Sequence, residues 1–397
     1  MSRNDSRPFI VAGGGIAGLA TALALGRAGF PVHVLERAFE FGEVGAGIQV
    51  GPNFLRALDA LGLRERVLRD AWRPTALEMR CALRGVTLCR FEAGLRLERH
   101  FGQPYLVTHR ADLHAAFLEA VRALPNVTLE TSARVVEVEQ DAEAAAVRLA
   151  DGRRVEGRAV VGCDGLWSTV RRYVLDDGEP VRAGHIAYRA VLRREEVPED
   201  LWRPEVVLWA GPRTHLVHYP LRRGELYNLV AVFHSRHYEE GWNLEGDPQL
   251  LWEHFRGQRP EVLRLLERIE TWRFWVLCDR EPARDWSKGR VVLVGDAAHP
   301  MLQYLAQGAA MATEDAVRLA REVLATPDDL PAAFERYWKA RYLRTARVQI
   351  QARFFGEIYH AHGAKGDLRD ALVGAATTEG FYANTAWLYA GDDTCWG

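Results

Sequence analysis

Hydrophobic positions near the start of the chain fall into three blocks. Residues 8–12 (PFIVA) form a short apolar run, residues 13–15 a glycine turn, and residues 16–28 an Ala- and Leu-rich stretch of helical character. After Gly29, residues 31–35 (PVHVL) make a second run of β character ending at Glu36. This order predicts a right-handed βαβ unit with parallel strands. Fully apolar runs return at 158–162 (RAVVG) and 290–294 (RVVLV), as expected of central parallel strands covered on both faces. Between about 183 and 281 the pattern alternates instead, in AYRAVLRR, VVLWA, HLVHYPL and LYNLVAVF, which predicts a mostly antiparallel sheet with one open face. Two long helical patterns follow, over 312–325 and 331–359.

Length and composition narrow the class. A chain of 397 residues has room for two or three structural units, and 48% hydrophobic with 26% charged residues is the make-up of a folded globular protein rather than a disordered one. Lys+Arg 51 against Asp+Glu 53 gives a net charge of −2, which argues against a nucleic-acid partner. Five cysteines, at 81, 89, 163, 278 and 395, are an odd number without CxxC spacing, so neither a disulfide framework nor a zinc ribbon is indicated and the cytoplasm is the expected compartment. Residues 8–26 carry no charge and follow Arg3 and Arg7, superficially like a signal or membrane helix. The three glycines in their middle break any such helix, and an integral membrane protein is not expected.

Gly13, Gly15 and Gly18 fit GxGxxG after a strand and at the opening of a helix, with Glu36 placed 23 positions after Gly13. Gly13 permits the tight turn, Gly15 lets a pyrophosphate approach the backbone, and Gly18 lets the helix pack close to the strand. The helix start at Ile16 and Ala17 attracts phosphate charge. Glu36, with Arg37 beside it, ends the second strand, where a carboxylate accepts ribose hydroxyls. This motif alone does not separate NAD from FAD.

Two later motifs do. Asp164, in Gly162-Cys163-Asp164-Gly165, and Asp296, in Gly295-Asp296-Ala297-Ala298-His299-Pro300, each follow a buried strand, at the end where open α/β sheets bind ligands. In order along nearly the whole chain, the three motifs resemble those of the single-component FAD-dependent aromatic hydroxylases. That resemblance implies an α/β fold with a discontinuous Rossmann-type FAD-binding domain (1–75, 100–182 and 282–330), an inserted, mostly antiparallel substrate domain (76–99 and 183–281) and a C-terminal helical region (331–397). It implies non-covalent FAD, Asp296 on the ribityl chain, and a helix start at Gly308, Ala309 and Ala310 that favours the anionic reduced flavin. It also suggests Arg110 as an FAD contact and Val44 to Gly47 as lining the flavin ring. A helix-start charge and an ordinary glycine loop are the plain alternatives for these two. No second GxGxxG is present, so NADH or NADPH would bind transiently as the electron donor with O2 as co-substrate. A homodimer is the family-level expectation.

The substrate end is read from residues 211–221, GPRTHLVHYPL. On an extended strand His215, Val217 and Tyr219 point one way and Leu216 and His218 the other. This excludes His215 with His218 as a metal pair and makes His215 and Tyr219 a polar pair over an aromatic ring. With MLQYLAQG at 301–308, the pattern resembles the family members that act on hydroxybenzoates. The resemblance places His215, Tyr219 and Gln303 around a small aromatic acid, 3-hydroxybenzoate first, hydroxylated to 2,5-dihydroxybenzoate. Salicylate or a hydroxypyridine acid is the nearer alternative, and a non-hydroxylating FAD protein the distant one. His215, with a pKa near the operating pH, would share the phenol proton, while Gln303 orients a polar group of the ring. Arg213, Tyr105 and backbone donors stay open as holders of the carboxylate. His234 with His237, or His360 with His362, have ligand-like spacing without a third ligand, so no metal is expected. Cys163 reads as a packing residue, and Ser168 lies in no GxSxG context.

Overall fold

The computed structural model describes residues 6–42, 45–235 and 244–391, so Val44, His237 and Cys395 lie outside the described residues. The predicted βαβ unit forms, with strand Phe9–Ala12, helix Ile16–Arg27 and strand Val32–Leu35. Their side chains are almost wholly buried because both faces of the sheet are covered. Strand Phe9–Ala12 pairs in parallel with Val32–Leu35 on one side and with Ala159–Gly162 on the other, and Ala159–Gly162 pairs in parallel with Val291–Leu293. Val127–Glu130 and the short Ser287–Lys288 complete a six-stranded sheet. The chain leaves the central strand in both directions, so its C-terminal end is a topological switch point, and the crevice there is the natural ligand position.

A second sheet has eight strands, in the order Leu244–Gly246, Trp272–Asp279, Val181–Arg193, Leu226–His234, Thr214–Leu221, Val206–Gly211, Ala76–Cys81 and Thr87–Glu92. Its pairs are antiparallel except Val206–Gly211 with Ala76–Cys81, which is parallel. The open face expected of it is absent. Helices Pro248–Phe255 and Pro260–Leu266 bury Leu251, Phe255, Val262 and Leu265 against Ile186, Leu216, Leu229 and Phe233 on one side. On the other, Ala187, Val232, Trp275 and Leu277 pack on Leu302, Tyr304 and Ala352. The alternation misled because His215, His218 and Asn228, polar by type, are buried within the strands.

The late helices run over Gly308–Ala325 and Leu330–Tyr359, followed by Ala364–Gly374 and Thr378–Tyr389. Asp329 caps the long helix by accepting from Ala332 N at 3.1 Å, and Pro331 sits in its first turn, where a missing N–H costs nothing. Fully buried Arg341 on this helix meets Glu314 and Asp315 of Gly308–Ala325, each at 2.7 Å. Among the described residues no helix is long and apolar enough to cross a membrane.

Candidate active site

The glycine loop sits at the switch point. Gly13 has φ +107°, and a Cβ there would lie 2.4 Å from the Cys163 carbonyl oxygen. A Cβ on Gly18 would stand 1.8 Å from the carbonyl of Gly13, which is why helix and strand need glycine to come this close. The Glu36 carboxylate folds onto the loop, accepting from Gly14 N at 2.6 Å and Ala38 N at 2.8 Å, while Arg37 is exposed. His114 Nε2 lies 2.9 Å from the Gly14 carbonyl and so anchors the loop from behind, a role no motif announced. Asp164 turns its carboxylate to helix Thr169–Val174, accepting from Thr169 N at 2.7 Å and Val170 N at 3.1 Å. Burial pushes its pKa up. Cys163 is buried with its thiol pKa raised by desolvation, as a packing residue should be.

The Gly295-Asp296 turn is held from two directions. Gly295, at φ +64°, donates its N–H to Asp315 Oδ2 at 3.1 Å, and His299 Nε2 lies 2.5 Å from the same oxygen. Fully buried Arg171 donates to the carbonyls of Ala297 at 2.9 Å and Ala298 at 2.6 Å. Burial alone would raise the Asp315 carboxyl, but His299 and Arg341 outweigh it and hold the pKa down at about 2. Glu314 next to it accepts from Asn53 Nδ2 at 2.9 Å, and the same amide donates to Gln307 at 2.9 Å. This polar network fixes where helix Gly308–Ala325 begins relative to Asp296. Asp296 is exposed, with Oδ1 3.8 Å from where a Gly308 Cβ would be. Ala309 and Ala310 continue the first turn, so backbone N–H groups face the same space.

These features fit FAD. The glycines bring no side chain of their own to the crevice floor, an exposed carboxylate stands beside a helix start, and the buried network keeps both in place. Arg110 opens helix Arg110–Arg122, with its N–H donating to the Ala46 carbonyl at 2.7 Å.

The strand parity holds. Tyr219 lies in the core shared with the parallel sheet, whereas Leu216 packs in the opposite layer and His218 bonds Trp209 Nε1 at 2.9 Å and Tyr227 OH at 2.7 Å. Gly47 lies under Tyr219 and donates to Asn228 Oδ1 at 2.7 Å. His215 and Tyr219 share a face but do not hydrogen-bond each other. His215 Nδ1 is instead 2.7 Å from His360 Nε2. Burial, with a smaller contribution from His185, pushes the His215 pKa down to about 3, far from the near-neutral value expected of it. Gln303 begins a short 3-10 turn, Gln303–Leu305, between the Gly295-Asp296 turn and helix Gly308–Ala325. Of the residues considered for a carboxylate, Arg213 sits exposed on a hairpin turn at φ +56°, whereas Tyr105 is buried and donates to Gln49 Oε1.

His234 and His360, each paired by spacing with a near neighbour in sequence, come together with His185. One ligand-type nitrogen from each lies within 4.8 Å of the others. The third imidazole that spacing did not supply thus comes from a different strand.

Residues 7–329 match the family model described as FAD binding domain. The crystal structure of Klebsiella pneumoniae HpxO complexed with FAD and uric acid superposes with TM-score 0.84 at 25% identity, covering 95% of each chain. The chain belongs to this family of FAD-dependent aromatic hydroxylases, and it is a flavoprotein monooxygenase using FAD, NAD(P)H and O2. Within the family it is similar to the 3-hydroxybenzoate 6-hydroxylase of Polaromonas naphthalenivorans (strain CJ2), 44% identical over 382 residues, covering 96% of this chain and 95% of the relative. The Klebsiella oxytoca 3-hydroxybenzoate 6-hydroxylase is 43% identical, with 97% of both chains covered.

Proposed function

We propose that the protein hydroxylates 3-hydroxybenzoate at C6, para to the phenol, to give 2,5-dihydroxybenzoate. Near full-length similarity to two enzymes of that name supports the substrate. The observation that carries the chemistry is a buried, neutral His215 on the same strand face as Tyr219, which in turn packs on Gly47 of the flavin-binding unit. The flavin, when bound, supplies hydride acceptance and oxygen activation. The protein's residues supply the rest. Gly13, Gly15 and Gly18 would admit the pyrophosphate, Glu36 would hold the ribose, and Asp296 the ribityl chain.

His215 Nε2 makes no hydrogen bond among the described residues, so it is available to the phenol hydroxyl. A phenolate directs electrophilic attack to its ortho and para carbons far better than a phenol, which makes removal of this proton the main task of the residue. Gln303 orients the ring's polar group, and Tyr219 closes the site against water from the strand side. The test is a panel of 3-hydroxybenzoate, salicylate and hydroxypyridine acids, scored for coupled NADH oxidation and for product identity by chromatography. 2,5-Dihydroxybenzoate from 3-hydroxybenzoate is the expected result, and catechol from salicylate as the faster reaction overturns the substrate assignment.

A further inference from the structure

Burial of His215 raises a problem for this reaction. A phenol that becomes a phenolate in the cleft releases a proton, and an imidazole so strongly desolvated does not keep that proton at neutral pH. A way out is needed. His215 Nδ1 lies 2.7 Å from His360 Nε2, and His360 Nδ1 lies 3.0 Å from His234 Nε2. His215 and His360 are each 3% exposed, whereas His234, at the end of its strand, is only half-buried. We propose that His215, His360 and His234 form a proton relay from the substrate phenol to solvent, with His360 as its indispensable middle member. The relay rests on reading the site as that of a phenolic-acid hydroxylase.

The step balances without any co-reactant. The phenol O–H proton moves to His215 Nε2, the His215 Nδ1 proton to His360 Nε2, the His360 Nδ1 proton to His234 Nε2, and the His234 Nδ1 proton to water. One proton enters, one leaves, and no electrons move. When the hydroxylated product takes a proton back, the same path runs inward and restores every tautomer, so no ring has to flip.

The distances favour a relay over a metal centre. A tetrahedral zinc shell with bonds of about 2.0–2.1 Å holds its ligand nitrogens roughly 3.3 Å apart. Contacts of 2.7 and 3.0 Å are hydrogen bonds, and they occupy both nitrogens of His360. His185 stands to the side, with Nδ1 2.7 Å from Tyr304 OH and its ring centroid 4.2 Å from that of His234. Burial keeps His185, His234 and His360 neutral at physiological pH. Arg213, Glu357, His254 and His362 are the charged or titratable groups around the outer end.

The experiment mixes FAD-loaded protein rapidly with 3-hydroxybenzoate in weakly buffered solution containing a pH-indicator dye. Ligand binding is followed in parallel through the flavin absorbance. Wild type is expected to release protons as fast as it binds. His360→Gln is expected to bind and release about tenfold or more slowly, in line with loss of positioned proton transfer. His234→Ala should be slowed likewise and restored by millimolar imidazole from solvent, which a merely structural role would not allow, and imidazole should not restore His360→Gln. Wild-type release rates in both variants, or ligand binding without proton release in wild type, overturn the relay. One equivalent of zinc retained through dialysis by wild type and lost in His234→Ala overturns it in favour of a metal site. If salicylate or a hydroxypyridine acid binds where 3-hydroxybenzoate does not, the release is read with that ligand, and only the substrate assignment falls.

Discussion

Gly47 lies against the ring of Tyr219: a Cβ at position 47 would stand 2.5 Å from Cε2 and 2.6 Å from the hydroxyl. This contact joins strand Gly47–Val50 to a central strand of the eight-stranded sheet, so the two elements are registered by the lack of one methyl group. Gly47→Ala should displace Tyr219, with overpacking costing about 1–3 kcal/mol, and should lower the ratio of hydroxylated product to NADH consumed. Tyr219→Ala in the same chain should recover part of the stability lost. Additive losses in melting temperature, measured over the four-variant cycle, would mean that the contact does not govern the effect.

Asp296 is exposed beside the start of helix Gly308–Ala325, the position a ribityl hydroxyl would share. Asp296→Ala should keep the fold, since Asp315 and Arg171 still hold the turn. It should weaken FAD retention roughly 10- to 100-fold, the range for a lost hydrogen bond to a charged group. Flavin released by acid precipitation and titrated back is the measurement, and normal flavin affinity in the variant removes Asp296 from the site.

Readability of the sequence divides along a physical line. The glycine loop, the flanking strands and the parity of His215, Tyr219 and His218 depend on residues a few positions apart, whose geometry the backbone fixes locally. Arg341 with Asp315, 26 residues away on another helix, depends on how two helices cross, and no spacing rule encodes that. The same holds for Arg171 under the Gly295-Asp296 turn and for His360 meeting His215 across 145 residues. The near-neutral pKa expected of His215 failed for a related reason: a strand of mixed polarity reads as half-solvated until the helices that cover it are placed.

His218 separates packing from chemistry. Removing it leaves the Trp209 N–H buried without a partner, at about 1–3 kcal/mol, and leaves the Tyr227 hydroxyl with only the Arg203 N–H at 3.3 Å. His218→Ala should therefore lower the melting temperature clearly, while the folded fraction still couples NADH oxidation to hydroxylation. His215→Asn should do the reverse, holding FAD but hydroxylating 10²- to 10⁴-fold more slowly with more hydrogen peroxide released. Peroxide yield and melting temperature on the two variants check this. If His218→Ala uncouples and His215→Asn does not, the catalytic face is the other one.

Stability against pH should reflect the buried histidines. His215 and His218 are each pushed down to about 3 and His185 to about 4, in every case first by burial, from 6.5 in an unfolded chain. The unfolded state therefore binds protons that the folded state refuses as pH falls below 6.5. The stability these groups contribute is fully present above 6.5 and is lost as pH drops toward 4 and then 3. Each such group steepens the loss by up to about 1.4 kcal/mol per pH unit inside that window. Asp315, held at about 2 against 3.8 in the unfolded chain, acts only below about pH 4 and in the same direction. The melting temperature should thus be nearly flat above pH 7 and fall steeply between 6.5 and 4. His218→Gln keeps a polar side chain in the cavity but does not titrate, so it should start from a lower plateau and descend less steeply. A variant slope equal to that of wild type, measured by thermal melts across the window, would show that His218 is not buried as a neutral group.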